Sequence, residues 1–296
     1  MHHRLRRLVL IGSIACVPAL GTLLGVAGTA TASTATTPAT PSSPSAQAAT
    51  AARNAIKQLV IGEHGNNHAM SGHALAHAAR GGVSALNQVS STNWSGYADD
   101  STGGHTYSKI TGNWTEPSAS CTSTESLAAF WIGIDGYTSS SVEQTGSEVD
   151  CVGRTAEYYA WYEMYPGPSE NYSNTVRAGD HFNATVTYTG NNSFSLHIAD
   201  TTRGWSHTTT ASLAGAARSS AEVIVEAPCC TASGGILPLT NFGTVNIAGS
   251  TANGAALGNA GGVTQIIMID NAGRDTDTVS SLSGGENFSA TWLRSN

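Results

Sequence analysis

Three short segments of this sequence present carboxylates in strand-like surroundings. Glu163 lies inside the aromatic run AWYEMYP, Asp135 follows FWIGI, and Glu226 ends AEVIVE. Because side chains two positions apart in a strand point to the same face, Trp161 shares a face with Glu163, and Trp131 shares one with Asp135. Ordinary half-exposed sheets also alternate carboxylates with apolar residues, but they seldom carry tryptophan beside the charge. An acidic and aromatic face of this kind suits the binding of an extended peptide or glycan and the transfer of protons.

Short strands must position these side chains. After residue 90 the sequence changes to short alternating runs separated by Gly, Asn, Asp and Ser, which is typical of strands and turns. Many short strands over residues 91–296 predict one all-β domain, a sandwich or a barrel, rather than a parallel α/β fold. The runs predicted as strands are TYSKITGNWTEP, LAAFWIGIDG, AEYYAWYEMYP, FNATVTYTG, SFSLHIAD, AEVIVEAP, TVNIAG, TQIIMID and ENFSATWLR.

The beginning of the chain has the pattern of an export signal. Three arginines give a basic head, an apolar stretch follows, and an Ala-Thr-Ala sequence suited to signal peptidase ends at Ala32. A membrane anchor is the alternative, but Pro18 and several glycines interrupt the apolar stretch. We therefore expect residues 1–32 to be a signal peptide and the protein to be secreted, with no membrane association after the signal is removed.

The cysteines indicate disulfides in the exported chain. Cys16 is lost with the signal, which leaves Cys121, Cys151, Cys229 and Cys230. Four cysteines allow three pairings. We prefer Cys121 with Cys151, because the other pairings tie both of them to adjacent residues at one strand end. Cys229 and Cys230 then form a vicinal bridge or stay free.

A segment with its own charge balance separates the signal from the strand-rich domain. Residues 33–47 are rich in Pro, Ser and Thr and cannot bury a core, whereas residues 48–80 have helix-like spacing of apolar side chains. Three basic residues and one acidic residue give residues 33–90 a net charge of +2, while 7 basic and 19 acidic residues give residues 91–296 a net charge of −12. Opposite charges suggest a basic propeptide resting on an acidic domain, and a soluble spacer is the alternative.

Metal and nucleic-acid partners are not expected. Four histidines in the propeptide form two pairs with a spacing of four, but glycines interrupt any helix that would align them and no acidic cluster completes a coordination shell. Charged residues make up only 11% of the chain, which does not suit a nucleic-acid partner. The four histidines are His64, His68, His73 and His77.

The order of several motifs resembles the glutamic peptidases, also called eqolisins. The motifs are NWSGY at 93–97, FWIGIDG at 130–136, EQTG at 143–146, AWYEMYP at 160–166, AEVIVE at 221–226 and FGTVNI at 242–247. The resemblance covers residues 91–296. It implies a concanavalin-like sandwich of two curved antiparallel seven-stranded sheets with the site on the concave face, preceded by the signal and the propeptide.

The resemblance also implies roles for particular residues. Gln144 and Glu226 match the catalytic pair of the family, and Glu163 matches a carboxylate that orders Gln144. The implied function is a secreted, pepstatin-insensitive acid endopeptidase that acts on polypeptides without a cofactor, is made as a zymogen inhibited by its own propeptide, and is monomeric. The residues expected to line or support the site are Trp131, Asp135, Trp161 and Glu163.

Three positions depart from the family pattern. Family sequences often have an aromatic residue at the position of Val223, an aspartate at that of Glu148, and an aspartate near Tyr159. By alternation Val223 points away from the site. Glu148 and Tyr159 are expected to change the hydrogen bonds around the catalytic pair and therefore the pH optimum.

From the residues alone, two other functions remain open. One is a secreted glycosidase with Glu163 and Glu226 as its paired carboxylates. The other is a glycan-binding module without catalysis that uses Trp131 and Trp161 as a platform.

Overall fold

The computed structural model describes residues 87–100, 104–228 and 236–296, all of which belong to one compact unit. Within these ranges no helix is both long enough and apolar enough to cross a membrane. The expectations for the signal peptide, for the helical region and histidines of the propeptide, and for Cys229 and Cys230 concern residues outside these ranges.

The described chain consists of short strands joined by turns, together with one 3-10 helix at Leu257–Asn259. The strands are β1 Asn87–Ser91, β2 Trp94–Asp100, β3 Lys109–Thr115, β4 Ser126–Ile134, β5 Val142–Val152, β6 Thr155–Tyr165, β7 Glu170–Asn171, β8 His181–Gly190, β9 Ser193–Asp200, β10 Trp205–Ser212, β11 Ser220–Glu226, β12 Thr244–Ala252, β13 Ala255–Ala256, β14 Val263–Met268, β15 Asp277–Val279 and β16 Phe288–Trp292.

Two sheets form a sandwich, which confirms the all-β prediction. Sheet I has the order β1-β14-β2-β11-β4-β5-β6-β7, and sheet II has the order β10-β9-β8-β3-β12-β16-β15, with β13 added beside β12. Each sheet thus has eight strands in the described residues rather than the seven that the resemblance implied. The difference comes from short pieces at the margins, since β7 and β13 have two residues each.

The edge of sheet I includes residues that the sequence analysis assigned to the propeptide. β1 pairs parallel with β14, from Asn87 opposite Thr264 to Ser91 opposite Met268. The side chain of Gln88 adds a hydrogen bond of 3.0 Å from its Nε2 to Oε1 of Gln265. The folded domain therefore includes Asn87–Ser91, and it begins before the predicted boundary at residue 91.

The main core lies between the two sheets. Alternate residues of β11 and β4, such as Val223 and Phe130, point into it, as do Phe182 and Leu196 from sheet II. Val223 therefore points into the core, away from the face of β11 that carries Glu226, as the alternation predicted. That opposite face, the outer face of sheet I, carries a separate cluster of buried apolar side chains: Trp94, Ala98, Ala129, Trp131, Val142, Trp161, Ile224 and Ile266.

A disulfide joins Cys121 to Cys151, as preferred from the sequence, with a Cα–Cα distance of 5.3 Å. The two cysteines are 30 positions apart, so the bridge closes a loop that contains β4 and most of β5. Restricting such a loop in the unfolded chain stabilises a protein by about 3.6 kcal/mol in the chain-entropy description. The bridge thus supports the two central strands of sheet I.

One carboxyl group is buried at the margin of the core. Glu116 follows β3 and is 1% exposed, and its carboxylate accepts a hydrogen bond from the Ser147 hydroxyl. The Trp114 Nε1 in turn donates to Ser147 Oγ at 2.7 Å. Burial raises the pKa of Glu116 to about 8, and the nearby charge of Asp180 also raises it. Glu116 therefore keeps its proton at acidic and neutral pH.

The raised pKa of Glu116 predicts that the fold is less stable in alkaline solution. A carboxyl group with a raised folded-state pKa contributes stability that is complete below its ordinary value and is lost as pH rises through about 8. We expect Glu116→Gln to remove part of this loss, by up to about 1.4 kcal/mol for each pH unit between the ordinary pKa and about 8. Urea unfolding at pH 4, 6 and 8 measures the effect.

The control for this experiment is Glu125→Gln, because Glu125 is exposed. It removes the same charge without changing a buried group. Equal pH dependence of unfolding in the wild type and in Glu116→Gln would show that ionisation of Glu116 does not destabilise the fold.

Candidate active site

The pairing of the central strands brings the predicted catalytic residues to one face. β4 lies between β11 and β5, and β6 follows β5. Glu226 pairs with Ala129 of β4, while Gln144 pairs with Gly133 of the same strand. Residues paired directly across strands lie on the same face of a sheet. Gln144 and Glu226 therefore both lie on the outer face of sheet I, on the two strands that flank β4.

Gln144 is held by the carboxylate of Glu163. Glu163 pairs with Gln144 across β5 and β6, and Gln144 Nε2 donates to Glu163 Oε2 at 2.5 Å. Both side chains are fully buried. This contact fixes the orientation of the Gln144 amide.

Glu226 accepts hydrogen bonds at both of its carboxylate oxygens. Trp131 Nε1 donates to Oε2 at 2.8 Å, and Asn93 Nδ2 donates to Oε1 at 3.3 Å. Glu226 and Asn93 are completely buried, and Trp131 is nearly so. These two donors fix the direction of the Glu226 carboxyl group on the outer face of sheet I.

The two predicted site tryptophans lie on either side of a glycine. Trp131 of β4 and Trp161 of β6 both pair with Gly146 of β5. A Cβ atom at Gly146 would lie 2.3 Å from the carbonyl oxygen of Phe130 and 2.5 Å from Cβ of Trp131. Trp131 also meets Trp94 edge-to-face, with 5.0 Å between ring centroids. Close approach at Gly146 therefore determines where the Trp131 indole can donate to Glu226.

Glu148 lies in the same row as Glu226, on the other side of Ala129. Burial raises the pKa of Glu148 to about 8; hydrogen bonds from Asp150 and Tyr159 lower it, and the charge of Glu226 raises it. The Tyr159 hydroxyl also donates to Asp150 Oδ2 at 2.9 Å. Glu148 and Tyr159, the two departures expected to affect the catalytic pair, thus belong to one network beside Glu226.

Asp135 has a different position from the one predicted by alternation. β4 ends at Ile134, and Asp135 has a φ of 71°, so the two-residue periodicity of the strand no longer applies. Its carboxylate accepts backbone N–H groups of Arg218 at 2.7 Å and Ser219 at 2.8 Å. Asp135 therefore supports the site indirectly, by holding the segment that leads into β11.

The same face carries another protonated carboxyl group. Glu222 pairs with Gly133, in the row of Gln144, and is fully buried. Burial raises the pKa of Glu222 well above its ordinary value, and the charge of Asp135 adds to the effect.

No three His, Cys, Asp or Glu side chains in the described ranges are arranged to hold a metal ion. The arrangement thus offers proton transfer and hydrogen bonding.

Comparison with known proteins identifies the family. The Peptidase A4 family model matches residues 92–292. The chain belongs to the Peptidase A4 family. This peptidase is 30% identical over 198 residues to Aspergillopepsin-2 from Aspergillus niger, with 58% of this chain and 68% of that protein covered.

Solved structures agree with this assignment. The crystal structure of scytalido-glutamic peptidase with a transition state analog inhibitor matches with a TM-score of 0.59 and 26% identity, over 68% of this chain and 98% of the other. SCP-B, a member of the eqolisin family in a complex with the tripeptide Ala-Ile-His, matches with a TM-score of 0.56 and 25% identity, over the same shares of the two chains. This Peptidase A4 protein is therefore a glutamic endopeptidase.

The sequence analysis missed one contact of the site. Asn93 was part of the NWSGY motif, but no role followed from its position in the sequence. Its contact with Glu226 spans 133 positions and depends on the pairing of β2 with β11. The motif itself was the available signal, since it placed a polar amide immediately before a strand of the domain.

The raised pKa of Glu148 predicts that its ionised form is not needed at acid pH. We expect Glu148→Gln to keep kcat/KM at pH 4 within about threefold of the wild type, because a glutamine replaces a carboxyl group that is already neutral. The measurement is cleavage of a fluorogenic peptide from pH 2 to 7. Glu170→Gln, at an exposed position of the same sheet, is the matched control. A loss at pH 4 as large as that of Glu226→Gln would contradict this prediction.

Proposed function

We propose that this glutamic endopeptidase hydrolyses polypeptides in acid with Gln144 and Glu226 as its catalytic dyad. The observation that carries the proposal is their placement on one face of sheet I, with each side chain fixed by a buried neighbour. Gln144 is held by Glu163 at 2.5 Å, and Glu226 is held by Trp131 at 2.8 Å. Catalytic groups need this kind of fixed orientation.

The chemistry of the proposed dyad follows from its side-chain types. Ionised Glu226 takes a proton from a water molecule, and the oxygen of that water attacks the carbonyl carbon of the peptide bond. An amide N–H of Gln144 donates to the oxyanion that forms. Glu226 then returns the proton to the amide nitrogen, and the C–N bond breaks to release the amine. Every proton in this cycle is carried by Glu226, so no cofactor is required.

A glutamine in this dyad is suited to acid solution. Its amide does not titrate, so it donates a hydrogen bond at any pH at which the fold is stable. A second carboxyl group in its place would have to share a proton with Glu226. The named relatives support this reading, because one was solved with a transition state analog inhibitor and another with the tripeptide Ala-Ile-His. We infer that the substrates of this chain are polypeptides as well.

Synthesis as an exported zymogen is part of the proposal. The net charge of +2 on residues 33–90 opposes that of −12 on residues 91–296. Near pH 3 to 4 many carboxylates take up protons, which weakens this attraction. Release in acid followed by self-cleavage then yields the active, pepstatin-insensitive enzyme.

Digestion of denatured casein tests the dyad. The acid-treated protein, secreted under its own signal, is assayed from pH 2 to 7 with pepstatin present. We expect acid activity that falls by about 10²- to 10⁴-fold in Glu226→Gln and by about 10²- to 10³-fold in Gln144→Ala. Glu222→Gln is the control, because Glu222 lies on the same strand and face as Glu226 but holds its proton. Casein cleavage by either dyad variant at the wild-type rate would exclude that residue from catalysis.

A separate peptide tests the propeptide. The peptide comprises residues 33–86. It excludes β1, because β1 belongs to sheet I of the folded domain. We expect this peptide to inhibit the mature domain at pH 6 and to lose its effect near pH 3, as the acidic domain becomes protonated. Inhibition is measured with a fluorogenic substrate, with a peptide of the same composition in scrambled order as the control. Failure of the peptide to inhibit at pH 6 would remove the support for an inhibitory propeptide.

A further inference from the structure

The carboxylate of Glu226 is connected to the end of β1 through one amide side chain. Asn93 Nδ2 donates to Glu226 Oε1 at 3.3 Å, and Asn93 Oδ1 accepts from Ser91 Oγ at 3.2 Å. Ser91 is 3% exposed and Asn93 is 0% exposed, so water does not compete for these bonds. The proposed base is therefore bonded to a residue that belongs neither to its own strand nor to the strands beside Gln144.

The backbone of Asn93 is attached to the same end of β11. Its carbonyl oxygen accepts the N–H of Ala227, the residue after Glu226, at 2.8 Å. Trp94, the next residue along the chain, pairs with Glu226 between β2 and β11. Side chain and backbone of Asn93 thus both contact the segment that carries the carboxylate.

Ser91 fixes the turn that presents Asn93. Its Oγ accepts the backbone N–H groups of Asn93 at 3.3 Å and Trp94 at 3.0 Å. The carbonyl oxygen of Ser91 accepts the N–H of Ile269 at 2.8 Å, which joins the turn to the residue after β14. A serine that accepts N–H groups two and three positions ahead makes a local turn with little freedom. β1 and its pairing with β14 therefore hold this turn in place.

We propose that Asn93 is a positioning residue for Glu226, and that Ser91 at the end of β1 fixes Asn93 for this task. The inference rests on the proposed role of Glu226 as the catalytic base. Under this proposal β1 contributes to catalysis, because Ser91 at its end fixes Asn93. Removal of the propeptide must then leave Ser91 on the mature chain, which places the cut before Ser91.

The donor from Asn93 favours the ionised form of Glu226 and sets the direction of its carboxylate. Trp131, which donates to Glu226, and Glu148, which lies across Ala129, are also close to this carboxylate. Tyr159 extends this row on β6, and Glu222 lies on the same face of β11. These groups stay unchanged in variants of Asn93 and Ser91, so a change in the pH profile reports on the amide donor.

Enzyme kinetics of four variants test the proposal. The variants are Asn93→Ala, Ser91→Ala, Ser91→Thr and the double variant Ser91→Ala/Asn93→Ala, each made in the full-length chain and activated as the wild type is. Asn113→Ala is the matched control, because Asn113 lies on sheet II and donates to the carbonyl of Ala248. For each protein kcat and KM are measured from pH 2 to 7, and near-UV circular dichroism and the midpoint of thermal unfolding report on folding.

We expect Asn93→Ala to lower kcat about 10- to 100-fold, with KM within about twofold, because a hydrogen bond to a charged group is lost. The acid side of the kcat/KM profile should move up by about one pH unit, since the ionised form of Glu226 loses a donor. Ser91→Ala should show the same changes to a smaller extent, and Ser91→Thr, which keeps the hydroxyl, should restore wild-type behaviour. The double variant should be no worse than Asn93→Ala, because both residues act through one contact.

Three results would overturn the proposal while leaving the dyad intact: wild-type kcat and pH profile in Asn93→Ala, additive losses in the double variant, or no rescue by Ser91→Thr. If Asn93→Ala does not fold, the kcat and pH profiles of Ser91→Ala and Ser91→Thr test the proposal instead. An inactive wild type would instead contradict the proposed function. Intact mass of the active enzyme gives an independent answer, because an active chain that begins after Ser91 is incompatible with the proposal.

Discussion

A carboxyl group buried in this sandwich is stable only if it accepts hydrogen bonds or keeps its proton. Glu226 meets this constraint in the first way, through donors from Trp131 and Asn93. Glu148 and Glu222 meet it in the second way, since burial raises the pKa of each. One sheet face thus carries a carboxylate surrounded by donors together with carboxyl groups that stay neutral. In the mechanism that we propose, this difference between otherwise similar side chains allows Glu226 to act as the base.

Small residues in the central strands create the space for this arrangement. Glu226 pairs with Ala129 and Gln144 pairs with Gly133, so the long side chains of the flanking strands face small ones on β4. A Cβ atom at Gly133 would lie 3.0 Å from the indole of Trp131 and 3.2 Å from Cβ of Gln144. The placement of the proposed dyad therefore depends on the small residues of β4 as well as on Gln144 and Glu226 themselves.

The sequence predicted the elements in which apolar and polar residues alternate. β4, β6 and β11 were recognised in this way, and so was the face that each of them presents. β5 was not recognised as a strand, because VEQTGSEVDCV carries polar residues at most positions even though nearly all of them are buried. β10 was missed for a related reason, since hydroxyl side chains fill most of WSHTTTAS. Composition alone cannot show that a polar segment is buried, because its partners come from distant parts of the chain.

Some residues of the site could likewise be predicted from the sequence, and others depended on the pairing of distant strands. Glu163 and Glu226 were candidates from the strand pattern, whereas Gln144 and the roles of all three came from the resemblance. The structure brings the three residues to one face of sheet I. Two details depended on geometry that no sequence pattern contains. Asp135 lies beyond the end of its strand and holds a neighbouring loop, and Asn93 reaches Glu226 only because β2 and β11 pair. The edge strand β1 was likewise assigned to the propeptide, since its five residues are too few to show a periodicity.

The burial of Asn93 has a consequence for the choice of production host. Asn93, Trp94 and Ser95 form an Asn-x-Ser triplet, the acceptor sequence for N-linked sugars in cells that glycosylate exported proteins. In the folded chain the amide of Asn93 is 0% exposed and its nitrogen is occupied by Glu226, so no glycan can be attached there. A sugar added to the nascent chain before β2 pairs with β11 would block both the pairing and the contact. Glycosylation and folding would therefore compete for one nitrogen atom, and a chain modified at Asn93 could not form the contact with Glu226.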